Sequence, residues 1–216
     1  ATNKKVIWTS SDSAIVDVSN TGLVKVGTRA GTTKITATAG DTNASITIAV
    51  SGQTDRDVLD ALASSHRSDL ADGTYVVASA LDGGKALDVS SGSYDNGANV
   101  QLWDSNETEA QKWTVSHDKN DYVTLTNTGS GKALDVSYGK AYEEANIQQW
   151  EFNDTRAQKW IAVRDNSSYR LVSALDPSLV LDVKSAETTN GTNVQLWTSN
   201  NSKAQQWTFF RSIVTY

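Results

Sequence analysis

An all-β fold in two parts is what this 216-residue sequence predicts, and three observations predict it. Aromatic and amide residues recur at a fixed 47-residue step through the last two thirds of the chain. Each copy breaks into short apolar runs divided by Asp, Asn and Gly turns. The first fifty residues alternate apolar and hydroxyl side chains with the period of a strand. Helical spacing is confined to one short stretch between the two parts.

In residues 1–52, Lys34-Ile35-Thr36-Ala37-Thr38 and Ile46-Thr47-Ile48-Ala49-Val50 alternate as half-buried antiparallel strands do. The segment 53–72 reads as a linker. Within it, Asp55-Arg56-Asp57-Val58-Leu59-Asp60-Ala61-Leu62-Ala63 places Val58, Leu59 and Leu62 on one side of a short amphipathic helix. The competing reading is a polar linker with a single helical turn.

Residues 73–216 hold the repeats. Trp103, Trp150 and Trp197 stand 47 apart, and so do Trp113, Trp160 and Trp207. The same step links Tyr75, Tyr122 and Tyr169; Asn99, Asn146 and Asn193; and Gln111, Gln158 and Gln205. In the first copy, strands are predicted at Thr74–Ala78, Ala86–Val89, Val100–Trp103 and Gln111–Val115, with turns at Asp82-Gly83-Gly84 and Asp95-Asn96-Gly97. Four strands in each of three copies suit a solenoid or propeller less well than a closed pseudo-threefold β-trefoil, because solenoids need polar caps and propellers usually have four or more blades.

The residues then reach two known families. Leu87-Asp88-Val89, Asn99-Val100-Gln101-Leu102-Trp103 and Gln111-Lys112-Trp113 recur as Leu134-Asp135-Val136, Asn146-Ile147-Gln148-Gln149-Trp150 and Gln158-Lys159-Trp160. They recur again as Leu181-Asp182-Val183, Asn193-Val194-Gln195-Leu196-Trp197 and Gln205-Gln206-Trp207. The set resembles the ricin-type β-trefoil lectins, with one Gln-x-Trp element per repeat, and is most similar to their bacterial branch. Val6-Ile7-Trp8-Thr9-Ser10-Ser11-Asp12, Val16-Asp17-Val18, Thr21-Gly22-Leu23-Val24 and Ala30-Gly31-Thr32 resemble a bacterial immunoglobulin-like domain of group 2. Members of that family carry further strands before the Trp8 motif, so an incomplete β-sandwich, entered part-way, is expected.

Strand alternation orients the repeated groups. If Leu87, Val89, Val100 and Leu102 face the core, then Asp88, Gln101 and Trp103 face outward. A carboxylate and an amide suit sugar hydroxyls, and an indole suits the C–H face of a pyranose. The resemblance implies carbohydrate binding at Asp88, Gln101 and Trp103, at Asp135, Gln148 and Trp150, and at Asp182, Gln195 and Trp197. The alternative for these tryptophans is a structural collar. Trp113, Trp160 and Trp207 belong to the Gln-x-Trp element and are expected in the core. Galactose-binding members place Asn just before that Gln, where this chain has Ala110, Ala157 and Ala204. Losing that contact costs about 1–2 kcal/mol and leaves galactose-type specificity open. Glu143-Glu144 replaces Asn-Gly in the second copy, which ranks its site below the other two.

Composition narrows the function. The chain has no cysteine, so thiolate metal sites and cysteine nucleophiles are excluded, and its two histidines leave little room for imidazole chemistry. A net charge of −6 disfavours nucleic acid. No apolar stretch of roughly 18 residues predicts membrane insertion, and no loop has EF-hand spacing, so no metal or cofactor is expected. The carboxylates recur in equivalent surroundings, whereas an enzyme needs an asymmetric pair, so no catalytic residue is assigned. The chain begins Ala1-Thr2-Asn3 without Met, which suggests a processed product or part of a longer protein. The reading is a non-catalytic, multivalent carbohydrate-binding module with weak individual sites, tethering covalently linked catalytic or adhesive domains of a secreted or surface bacterial protein to glycans. The alternative is a non-lectin trefoil serving protein contact or acting as a rigid spacer in an adhesin.

Overall fold

The computed structural model describes residues 5–26, 31–50, 55–67 and 69–212, in two units, Ala1–Thr54 and Asp55–Tyr216. The first unit contains β1 (Ile7–Ser10), β2 (Val16–Val18), β3 (Val24–Val26), β4 (Gly31–Ala39) and β5 (Thr42–Val50). A three-stranded antiparallel sheet runs β1-β4-β5, and β2 and β3 form a separate hairpin. Ile15, Val16 and Ile35 are buried between them, with Trp8, Val18, Ile48 and Val50 packed alongside. Gly22 has φ +85°, and a Cβ there would lie 2.8 Å from the Trp8 indole, so glycine lets the hairpin close over that ring. The alternation in β5 only partly reports burial. Ile46 sits opposite Ile35 in register but is 62% exposed, because no described residue covers the middle of the strand on that face.

The second unit opens with α1 (Asp55–His66), whose first turn carries Asp55 and Asp57, favourable to the positive end of the helix dipole. Leu59 and Ala63, one turn apart, are buried against Tyr122, Ile161, Val172 and Val180. The helix is therefore a packed part of this unit rather than a linker. The repeated tyrosines hold the segment in place: Tyr122 Oη donates to Asp60 Oδ1 at 2.6 Å, Tyr169 Oη to the Asp69 carbonyl and Tyr75 Oη to the Ala71 carbonyl, both at 2.9 Å.

Three four-stranded repeats follow: β6 (Gly73–Ser79), β7 (Lys85–Val89), β8 (Val100–Asp104) and β9 (Lys112–His117); β10 (Val123–Asn127), β11 (Ala133–Val136), β12 (Ile147–Trp150) and β13 (Trp160–Asp165); β14 (Ser168–Ser173), β15 (Leu179–Val183), β16 (Thr192–Thr198) and β17 (Trp207–Arg211). The outer strands of each repeat pair in the cycle β6-β9-β10-β13-β14-β17 and back to β6, a closed barrel with no free edge. The inner strands form the hairpins β7–β8, β11–β12 and β15–β16. This is the β-trefoil arrangement. Trp113, Trp160 and Trp207 are fully buried in its core, and their indole N–H groups donate to the carbonyls of Leu87, Leu134 and Leu181 at 3.0, 3.3 and 3.2 Å.

The recurring asparagines close on one another. Asn99 Nδ2 donates to Asn193 Oδ1 (3.0 Å), Asn193 Nδ2 to Asn146 Oδ1 (2.9 Å), and Asn146 Nδ2 to Asn99 Oδ1 (2.9 Å). This ring ties the three hairpins together. Gln149, which replaces Leu102 and Leu196, is fully buried. Its amide donates to the carbonyls of Ser93 and Asp95 and its oxygen accepts from Ser130 Oγ, so the substitution is satisfied.

Candidate functional site

Each inner hairpin places a carboxylate directly across from an amide: Asp88 faces Gln101, Asp135 faces Gln148, and Asp182 faces Gln195. The amide donates Nε2–H to Oδ1 of its aspartate at 3.0, 2.9 and 3.1 Å. In the first and third repeats the Gln of Gln-x-Trp grips the other oxygen, Gln111 Nε2 to Asp88 Oδ2 at 3.1 Å and Gln205 Nε2 to Asp182 Oδ2 at 3.2 Å. These glutamines also accept from the backbone N–H of Asn106 and Asn200, locking the turn that leads into the following strand. Gln158 makes the corresponding bonds to Asn153 N–H and the Glu151 carbonyl.

Alternation directs the aspartates away from the apolar core, but it does not leave them open on a surface. Asp88, Asp135 and Asp182 are only 6, 4 and 5% exposed, because neighbouring glutamines and turns close around them. Burial pushes all three carboxyls above the ordinary range, opposed by the bonds from the amides. The Gln195 Oε1 atom is buried and has no hydrogen-bond partner. Trp103 and Trp150 are more than a third exposed, and Trp197 is half-buried.

These residues line three equivalent pockets, of about 580 Å³ at Asp88, Gln101 and Trp103, 730 Å³ at Asp135, Gln148 and Trp150, and 390 Å³ at Asp182, Gln195 and Trp197. Ala110, Ala157 and Ala204 each contribute to a wall, so the position before the Gln supplies only a methyl group. Beside that alanine, each pocket carries a tight 3₁₀ turn whose middle residue is left-handed: Ser91 (φ 58°), Tyr138 (φ 60°) and Ser185 (φ 55°). A ring as large as Tyr138 is unusual in that conformation, and it stands almost fully exposed at the second pocket.

No pocket is built by one repeat alone. The first repeat's turn at Gly97 abuts Trp150 and Gln148, and the third repeat's turn at Gly191 abuts Trp103 and Gln101. The second repeat's turn places Glu144 in the third pocket, where it lies 3.5 Å from Lys184. The premise of the ranking drawn from Glu143-Glu144 is therefore relocated: Glu144 lines the third pocket, and neither glutamate lines the second. Sequence reasoning also missed Tyr94, Tyr138 and Arg156 as pocket residues, since none recurs at the 47-residue step.

Segments 64–150, 109–197 and 156–215 each match the family model of the ricin-type β-trefoil lectin domain-like proteins. Residues 1–50 give a weaker match to the bacterial Ig-like domain (group 2). A comparison with curated protein sequences gave no match. Among solved structures, the chain is similar to the designed threefold-symmetric protein ThreeFoil, with 33% identity, 66% of this chain and 100% of that chain covered, and a TM-score of 0.62. The Rhizoctonia solani agglutinin is 26% identical over 66% of this chain and 97% of its own, with a TM-score of 0.61. The exo-β-1,3-galactanase 1,3Gal43A of Clostridium thermocellum is 27% identical over 65% of this chain but only 30% of its own, with a TM-score of 0.62.

Proposed function

We propose a function from one premise: the chain belongs to the ricin-type β-trefoil lectin-like family. On that premise the three pockets are saccharide sites. The observation that carries this reading is a single constellation built three times, a buried carboxylate braced by an amide beneath a partly exposed indole. Each aspartate oxygen has acceptor capacity beyond the bonds it already makes, so Asp88, Asp135 and Asp182 take sugar hydroxyls. Gln101, Gln148 and Gln195 brace the carboxylates from across each hairpin. Trp103, Trp150 and Trp197 stack on the C–H face of the ring.

The alanines before each Gln remove one polar contact, so a single site binds weakly, on the order of millimolar to high micromolar. Strength comes from two or three pockets engaging a polymer or a dense glycan surface together. The module tethers a larger secreted or surface bacterial protein to that surface, with the N-terminal unit as an immunoglobulin-like spacer and catalysis, where present, in other domains. The similarity to part of a galactan-cleaving enzyme supports both the linked hydrolase and galactose-type ligands. Retention on immobilised β-1,3-galactan and on a panel of plant and bacterial polysaccharides tests the assignment. Trp103→Ala, Trp150→Ala and Trp197→Ala combined abolish retention while the far-UV spectrum is unchanged; full retention by the triple variant refutes it. A protein-contact role is favoured by the exposed Tyr94, Tyr138 and Tyr142, and predicts that these tyrosines, rather than the tryptophans, govern capture.

A further inference from the structure

The three pockets share a floor but not a rim, and the difference is one of charge. The first is lined by two carboxylates, Asp88 and Glu109, and no cation. The third is lined by Glu144, Asp182 and the Lys184 ammonium. The second is lined by one carboxylate residue, Asp135, and one basic residue, Arg156. Arg156 occupies the position held by Glu109 in the first repeat and by Lys203 in the third, and Lys203 does not line the third pocket. Glu144 has the glycines Gly97 and Gly191 as its counterparts, so the second pocket receives no carboxylate from its neighbour.

Arg156 is held in place from behind. Its Nη1 donates to the Ala174 carbonyl at 3.0 Å, and its guanidinium lies 5.8 Å from the centre of the Tyr122 ring. The nearest carboxylate, Asp60 of α1, accepts a 2.6 Å hydrogen bond from Tyr122 Oη and approaches Arg156 Nη2 only to 3.6 Å. That contact is an ion pair without a direct hydrogen bond, and of the five guanidinium N–H groups one is engaged by Ala174, so a one-third-exposed cation keeps donors for a ligand. The same pocket is the largest of the three and has Tyr138 and Leu175 on its walls, which gives room for a substituent beyond a plain pyranose.

We infer that the second pocket is specialised for an acidic saccharide, a pyranose whose carboxylate or sulfate is held by Arg156 while its ring lies against Trp150. This inference rests on the saccharide reading above. It makes the module asymmetric in ligand choice: the first and third pockets face neutral sugars, and the second faces an anionic residue of the same or another glycan. Arg156 is thus a specificity-determining residue, set in position by Ala174, Tyr122 and Asp60.

The test is an NMR titration of the full ¹⁵N-labelled chain, following the three indole N–H signals of Trp103, Trp150 and Trp197. The probes are galactose against galacturonate and galactose 6-sulfate, and glucose against glucuronate. The acidic member of a pair should bind at Trp150 about three- to tenfold more tightly than the neutral one, as a charge-assisted bond to a partly exposed cation allows. The preference weakens with added salt, disappears in Arg156→Gln and is retained in large part by Arg156→Lys, which also guards against a folding defect. Whether galacturonate or galactose 6-sulfate shows the preference tells carboxylate from sulfate. Neutral sugars that shift the indoles with no acidic preference at Trp150 overturn the inference and leave the saccharide reading standing. A preference that survives Arg156→Gln overturns the role of the guanidinium. Silence of all three indoles towards every probe overturns both the inference and the reading on which it rests.

Discussion

The asparagine ring at the centre of the trefoil makes a quantitative prediction about cooperativity. Three bonds of 2.9–3.0 Å join three side chains head to tail, so each Asn takes part in two of the three bonds. Replacing Asn146 by Ala removes two bonds at once. Replacing Asn99 in that background removes the single bond left, and replacing Asn193 last removes none. At about 1 kcal/mol per net bond between half-buried amides, the successive losses are roughly 2, 1 and 0 kcal/mol, whichever residue is changed first. Urea unfolding followed by the fluorescence of the buried Trp113, Trp160 and Trp207 reads these losses. With a slope of about 2 kcal/mol/M, the first replacement lowers the midpoint by about 1 M and the last leaves it nearly unmoved. Equal decrements at each step would refute the argument, since they would show that each amide acts alone.

Three further outcomes follow from the packing. Leu59→Ala destabilises the trefoil unit by about 2–5 kcal/mol in the same fluorescence assay; an unchanged midpoint would mean that α1 does not contribute to that core. Gly22→Ala forces a Cβ into the Trp8 ring at a positive φ and costs about 1–3 kcal/mol. Hydrogen exchange should then accelerate in β1 and β4 while the barrel amides keep their protection. Burial, reinforced by the hydrogen bond to Asp60, pushes the Tyr122 hydroxyl up to about 12 from its ordinary 10. The folded state therefore holds this proton more firmly than the unfolded state, and stability is intact below pH 10 and falls as the pH rises towards 12. Ultraviolet titration should show late ionisation of Tyr122 that moves to lower pH in Asp60→Asn.

The sequence made the threefold plan legible because an unbroken 47-residue step can be read by counting, and the Gln-x-Trp tryptophans could be assigned to the core from that pattern. The purpose of Asn99, Asn146 and Asn193 was not legible. Their recurrence was plain, but a ring of mutual partners exists only once three repeats have closed. The burial of Asp88 was hidden for a related reason: alternation tells which face of a strand a side chain takes, not what later segments fold over that face. The misplacement of Glu144 is the clearest case. A turn belongs to one repeat in sequence and to its neighbour's pocket in space, so any ranking of sites repeat by repeat assigns its charge to the wrong pocket. Ile46 shows the converse, since its alternation is strand-like while its burial depends on a partner surface that a local pattern does not encode.

The unequal rims give the trefoil a use for its approximate symmetry. The Asp–Gln–Trp constellation is kept in all three pockets, and Arg156, Glu109 and Glu144 vary what surrounds it. A glycan that displays neutral and acidic residues at the right spacing would meet all three pockets, whereas a uniform neutral polymer would meet two. Avidity then depends on the pattern of the polymer as well as on its density.

The central claim is that the Asp–Gln–Trp pockets bind saccharides, and a glycan array probes it most directly. The intact chain, displayed multivalently, is applied beside the Trp103→Ala, Trp150→Ala, Trp197→Ala triple variant to galactosides, N-acetylated sugars, uronic-acid and sulfated glycans, plant polysaccharides and peptidoglycan fragments. The account predicts binding to a coherent group of glycans by the intact chain and a blank array for the triple variant. A blank array for the folded intact chain, or equal binding by both proteins, would contradict it.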